Sequence, residues 1–449
     1  MARVSVLHPD GDMSDYSSYS TARTNADAGE LIIIWTDLTE QILLKNEVDI
    51  WIMDGVTIDY NAEHPTLVDN YGEYDVAVKC KIYGNGRIIN SGESIEDTCL
   101  SILIVNTASE VSIECDYIGG SQLSYPQSDI KIYGAKFYLK CNKVYSKYGV
   151  GMVIYNSCID FNLRIRLLET GTSVGTASGS TALVSGGVGL ISIDEIRCNS
   201  RGHCLGLRDG SVTAIVRKMS TTRRINTQGA AAPLQTSQGT VDSTLVLYFD
   251  EINALNDGYA SPAAIDLNQG YSTIIGRKAY SQNSYSLIVG GQDEYKNGYV
   301  NVIELKSDTW YACNLAEFEN PLTIVSKSIV SNFSLGSGNS TVISIDSING
   351  YSPIVSIKDA YIINLNQDPM LAGIYGIYLE DITPICTLNN VKIISRDEVI
   401  YLVPEDEINI KNYGMFGNNP VSGGSDDHDV TLVIGTIAND LFIDDPDLA

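Results

Sequence analysis

The chain is short of positive charge, histidine and long apolar runs, and each shortage argues against a class of function. Lys and Arg number 29 against 55 Asp and Glu, a formal charge of −26. Such a surface repels nucleic-acid phosphates and anionic headgroups, so no nucleic-acid partner is expected. No stretch approaches the roughly 20 apolar residues of a membrane-spanning helix, and no membrane insertion is expected. The start, "MARVSVLHPDGDMSDYSS", lacks the apolar run of about 7–15 residues that marks a secretory leader. The 4 histidines have no paired spacing, and the 9 cysteines stand singly without CxxC spacing. Neither a metal site, a cofactor nor a disulfide framework is therefore expected. Thiols inside apolar stretches such as "VKCKI" and "SIECDY" act as small buried hydrophobes and fit folding in a reducing cytoplasm.

What is present is strand and turn. The chain has 27 Tyr, 39 Gly and abundant Ile, Val, Ser and Asn, with no sustained Ala/Glu/Lys/Leu pattern for a long helix. At 449 residues it exceeds the roughly 250–300 at which one compact core stops growing. It must comprise several domains or one elongated repeat. Residues 28–61, "AGELIIIWTDLTEQILLKNEVDIWIMDGVTIDYN", place strands at "ELIIIW", "ILL" and "VDIWIM" with corners of a few residues and no Asn-Gly hairpin signal. That spacing predicts a coil with about three strands per turn. "KIYG" recurs at Lys81 and Lys131, which reads as two turns of about 25 residues. Further segments, among them "LISIDEIRCNS", "VLYFDEINALN" and "CTLNNVKIISR", share the order apolar, x, apolar, polar, x, apolar.

A short helix before Gly29, a hydrophobic strand, the "T-x-x-E-Q-I-x-L-K" segment and "VDIWIMDG" resemble the opening of right-handed parallel β-helix proteins of the pectin-lyase-like superfamily. The likeness is close over about residues 26–59 and continues only as cadence. The fold it implies is an all-β, right-handed parallel β-helix solenoid with a short N-terminal cap and a small C-terminal β cap. The expected division is a polar cap or attachment segment at 1–28, the β-helix at 29–403, and a cap or assembly segment at 404–449. Gly/Ser/Thr-rich stretches near 170–189 and 226–243 read as loop insertions. Among such proteins the chain looks most like phage tailspikes and tail fibres. That resemblance implies a structural or adhesive virion component, made in the host cytoplasm without a signal peptide. Its implied partners are further copies of the chain in a homotrimer, other virion proteins and a host surface polysaccharide. The alternative is a polysaccharide lyase or glycoside hydrolase with carboxylates drawn from different turns.

Acid–base chemistry needs two carboxylates on one surface. "SIDEI" (Asp194, Glu195) and "YFDEI" (Asp250, Glu251) are adjacent pairs whose side chains, in a flat strand, point to opposite faces; stacking of turns is what would bring Asp194 near Asp250. "SRGHCLGLRDGS" places His203 in a segment superficially like the Gly-His-Gly of polygalacturonases, but Cys204 stands at the third position. Asp160 in "CIDFN" lacks the surroundings of a pectin-methylesterase-like nucleophile. "SDDHD" (Asp426, Asp427, His428, Asp429) has hard-metal ligand types, but consecutive positions do not converge on one ion, so a solvated turn is the simpler reading. The basic stretch "VRKMSTTRR" at 216–224, with Arg217, Lys218, Arg223 and Arg224, reads as a solvated edge relieving acidic self-repulsion. Aromatic residues carry the better functional signal. Tyr280, Tyr285, Tyr295, Tyr299, Trp310 and Tyr311 fall within two turns beside Asp293, Glu294 and Asp308, and rings beside acids suit the apolar faces and hydroxyls of sugars.

Overall fold

The structure, a computed structural model, describes residues 3–60, 64–69, 76–92, 100–120, 129–147, 151–155, 157–171, 181–199, 203–223, 232–237, 243–256, 263–291, 295–332, 340–346, 351, 353–366, 374–380, 385–395, 398–402, 407–416 and 419–422. Apart from one helix among these residues the chain is strand and turn, coiled as a parallel β-solenoid. It divides into two compact units, residues 1–259 and 260–449.

In the first unit the strands lie on three parallel faces. One face stacks Ile42, Leu67, Ile102, Ile130, Met152 and Ala182 in register. A second stacks Ile50, Ile82, Ile113, Leu139, Leu163 and Ile191. The third stacks Ile58, Ile88, Ile118, Val144, Leu168 and Ile196. All of these side chains are buried, and burying each aliphatic side chain contributes about 1.5–3 kcal/mol. The second unit repeats the arrangement with Leu287, Cys313, Ile343 and Ile377; Val300, Ile324, Ile357 and Leu388; and Leu305, Ile329, Ile362 and Ile393.

The sequence cadence has a geometric cause. In strand Glu110–Gly119, Val111, Ile113 and Cys115 point inward, and the next inward residue is Ile118. Two consecutive residues face outward where the chain turns from the second face to the third. At the same corner Asp194 is exposed and Glu195 half-buried, between buried Ile193 and Ile196. The flat-strand expectation for such Asp-Glu pairs therefore fails at the bend, and both carboxyls face out.

Three readings change in detail. The two "KIYG" segments are not equivalent: Ile82 stacks against Ile113 on the second face, whereas Ile132 stacks between Ile104 and Ile154 on the first. Part of each supposed insertion is strand: residues 182–189 belong to Ala182–Cys198, and Leu234–Thr236 pairs with 205–207. Parallel pairing also continues through Glu407–Phe416 and Asn419–Ser422, past residue 403. The expected terminal strands and "SDDHD" lie outside the described residues.

At the N-terminus, β1 (Val4–Leu7) runs antiparallel to both β2 (Met13–Tyr16) and β3 (Leu31–Ile34). It covers the backbone edge of the first turn, which would otherwise be a template for foreign strands. The helix α1 (Tyr19–Asn25) begins at Ser18, whose hydroxyl accepts the Thr21 amide and so satisfies one of the orphan donors of the first helical turn. Tyr19, buried, donates its hydroxyl to the Leu43 carbonyl at 2.7 Å. From β1 to β3 the cap is tied by His8, whose Nδ1 meets Glu30 Oε1 at 2.6 Å and whose Nε2 meets Ser14 Oγ at 2.9 Å.

This pair makes the cap pH-sensitive. Hydrogen bonding to Glu30 raises His8 from its ordinary 6.5, and the same bond holds Glu30 below 4.5. The His8 contribution is complete below pH 6.5 and is lost as pH rises through the raised folded value. The Glu30 contribution is complete above pH 4.5 and is lost on acidification. Amide exchange across β1–β3, corrected for intrinsic rates, should slow on going from pH 8 to pH 6, and His8→Gln should abolish that change.

Candidate functional site

The carboxylates singled out as catalytic candidates belong to a column of alternating charge. Lys218 lies opposite Glu195 and Glu251, and Arg217, between the paired positions Val216 and Lys218, falls level with Asp194 on one side and Asp250 on the other. Asp194 and Asp250 are thus two strand spacings apart, roughly 9–10 Å, with a guanidinium-bearing residue between them. Bidentate hydrogen bonds from Arg197, at 2.9 and 2.8 Å, hold Glu195 below the usual carboxylate range, with smaller contributions from Lys218 and Arg217. The described part of the basic stretch at 216–224 thus compensates the acids above and below it.

His203 stands elsewhere, just before the first-face strand residues 205–207. Its Nδ1 contacts the Ala232 carbonyl at 2.9 Å, and burial lowers its pKa despite that bond. The neutral ring donating to a carbonyl is a corner fastening. Asp160 accepts the Tyr138 hydroxyl, a bond that pushes the phenol up to about 12. The described residues hold no group of three or more His, Cys, Asp or Glu placed to hold a metal ion.

The second unit brings several of the aromatic candidates together at the corner between its third and first faces. Tyr285 lies 5.8 Å from Trp310 and 5.9 Å from Tyr311, and Trp310 lies 6.3 Å from Tyr311. Each ring is half-buried. Their planes meet at 53°, 57° and 72°, so no ring covers another's face. Tyr133 and Tyr155 of the first unit differ: stacked at 4.0 Å and 6°, they cover each other. Burial raises the Tyr285 pKa, so its hydroxyl stays protonated and can donate. Asp308 accepts the Tyr280 hydroxyl and lies 3.6 Å from the Lys306 ammonium.

A buried serine ladder positions this corner. Ser281, Ser307 and Ser331 stack in register and are fully buried. Ser281 Oγ accepts the Ser284 amide and Ser307 Oγ accepts the Trp310 amide, each at 3.1 Å. Ser307 donates to the Ser284 carbonyl at 2.6 Å, and Ser331 to the Trp310 carbonyl at 2.8 Å. Tyr285 and Tyr311 each follow a ladder serine by four residues. The sequence reading missed the ladder, although "SQNSY" and "SDTWY" carry its signal.

The remaining aromatic candidates separate from this cluster. Tyr295 is fully buried, edge-on to Phe318 at 5.1 Å; it is a core side chain and presents no ring to solvent. Tyr299 projects from the second face, between Thr273 and Thr323. Asp293 and Glu294 lie outside the described residues. No protein-family model matches the chain, and no curated protein or solved structure matches it.

The Tyr295 hydroxyl is buried without a hydrogen-bond partner among the described residues, and a Cβ on Gly298 would fall 1.9 Å from it. Gly298→Ala should cost about 1–3 kcal/mol by overpacking. Tyr295→Phe, which removes an unpaired polar atom, should leave stability unchanged or raised. In the Phe background the Gly298→Ala penalty should shrink. Equal penalties in the two backgrounds, measured by denaturant melts, would refute the clash.

Proposed function

We propose that this chain is an adhesive solenoid that binds a saccharide on the rings of Tyr285, Trp310 and Tyr311, as a tailspike or tail fibre on a bacteriophage virion would. The observation that supports this reading is the mutual tilt of the three rings, whose faces remain uncovered by one another on a rigid corner. Sugar rings pack their axial C–H faces on such surfaces while hydroxyls reach neighbouring acids and amides. Asp308 and the Tyr285 hydroxyl supply polar groups beside the platform. A β-solenoid suits the task because turns at roughly 4.8 Å spacing present a fixed row of positions along an extended glycan.

The pectin-lyase-like likeness rests on residues 26–59, which speak to fold; the virion assignment rests on the single thiols, the lack of a linear catalytic motif, the acidic composition and the distinct end segments. With that assignment come a homotrimer, neighbouring virion proteins and a host surface polysaccharide as partners. The carboxylates at hand do not favour the lyase or hydrolase alternative, since Arg217 separates Asp194 from Asp250.

A glycan array probed with the whole chain should reveal a bound saccharide. Trp310→Ala should weaken its binding at least about tenfold, the equivalent of about 1.4 kcal/mol, while leaving the far-ultraviolet circular dichroism unchanged. No bound glycan, or equal binding by Trp310→Ala, would overturn the platform. Light scattering should give the mass of three chains, and a monomeric mass would remove the free trimeric spike.

A further inference from the structure

We infer that the first unit carries a separate oxyanion-binding site built on Arg164 and Arg166. The two arginines flank buried Ile165 on strand Asp160–Thr170, Arg164 on the second face and Arg166 where the chain bends toward the third, and both are exposed. They line a groove of about 390 Å³, continuous through Glu114, Lys140 and Arg164 with a second of about 270 Å³. On neighbouring turns several cations are paired: Lys79 and Lys136 both meet Glu110, at 3.6 and 2.8 Å, and Lys143 meets Glu169 at 2.8 Å. In the groove the pairing is incomplete. Glu114 is taken by the Lys140 ammonium, and Arg164 then stacks directly on Lys140, with Ser192 on its other side. Arg166, between the paired positions Ile165 and Leu167, falls level with Asn142 on one side and the carboxylate residue Asp194 on the other. Neither guanidinium has a hydrogen bond or ion pair among the described residues.

A like-charged Lys140–Arg164 step at one strand spacing is unfavourable unless an anion relieves it. With the Lys140–Glu114 pair set aside, the groove wall holds two arginines against one carboxylate, Asp194, in a chain of net charge −26. Two guanidinium-bearing residues about 6.5 Å apart along the backbone and lining one groove can hold a carboxylate, sulfate or phosphate oxyanion through charge-assisted, bidentate hydrogen bonds. Ser192 and Asn142 on the same wall offer further donors. The site stands apart from the ring platform, which belongs to the other unit.

The test is calorimetric titration of the whole chain with sodium sulfate, inorganic phosphate and glucuronate, each at ionic strength matched with chloride. Saturable binding of at least one is expected. A preference for glucuronate would identify a carboxylate ligand, and a preference for sulfate or phosphate an ester. Arg164→Gln/Arg166→Gln should weaken binding at least about tenfold, as loss of two charge-assisted contacts requires. Arg217→Gln should leave it unchanged. Should the double variant fail to fold, Arg166→Lys, which keeps the charge and loses the fork, should still weaken binding severalfold. Absence of binding by the unaltered chain, or undiminished binding by the arginine variants, would overturn the site.

Discussion

Parallel in-register stacking makes each residue answer to its counterpart one turn away. Strands about 4.8 Å apart place like positions in contact, so every column must tolerate its own contents. Inside, the solution is aliphatic filling. Cys115 and Cys141 show that thiols meet the same requirement, their sulfurs 3.8 Å apart and both side chains buried. Outside, identical charges would repel, and the corner alternates Asp194-Glu195, Arg217-Lys218 and Asp250-Glu251 across successive turns. At the serine corner a hydroxyl solves the problem, because it both donates and accepts and can stack on itself.

This constraint explains what was legible in the sequence. The order apolar, x, apolar, x, x, apolar is the direct imprint of a strand that bends once, and Ile191, Ile193 and Ile196 all point inward as the cadence requires. Short corners at 28–61 conveyed three strands per turn. Literal repetition misled. Lys81 and Lys131 open identical tetrapeptides on different faces, because a turn constrains the polarity of each position and leaves its identity free. Glycine and serine were also poor guides: residues 182–189 look like a linker, yet they join the ladder, where Gly189 leaves room for the Phe161 ring.

The candidate site was legible in part. Tyr285, Trp310 and Tyr311 were grouped by closeness in sequence, and two turns of the coil do bring them to one corner. The same criterion swept in Tyr295 and Tyr299, which belong to the core and to another face. Closeness in sequence cannot separate them, whereas spacing from the ladder serines does, since Tyr285 and Tyr311 share it and the other two lack it. The catalytic candidates were His203 and two acids, Asp194 and Asp250, that stacking was expected to bring near one another, with Arg217 read only as part of a solvated edge. Their meaning lay in the turns above and below, which a linear motif does not display.

A solenoid in which columns are normally compensated makes its exceptions informative. Tyr133 and Tyr155 stack face to face at 4.0 Å; the three rings at the serine corner are tilted to one another by 53–72°, so stacking on one another does not account for their grouping. Lys140 over Arg164 is the electrostatic counterpart, a step that breaks the alternation seen at Lys79, Glu110 and Lys136. Both exceptions occur on the outside, where a substitution to Ser, Thr or Asn would relieve them without disturbing the interior. Because relief at such a position costs the interior nothing, these two exceptions are the columns whose contents interior packing does not account for.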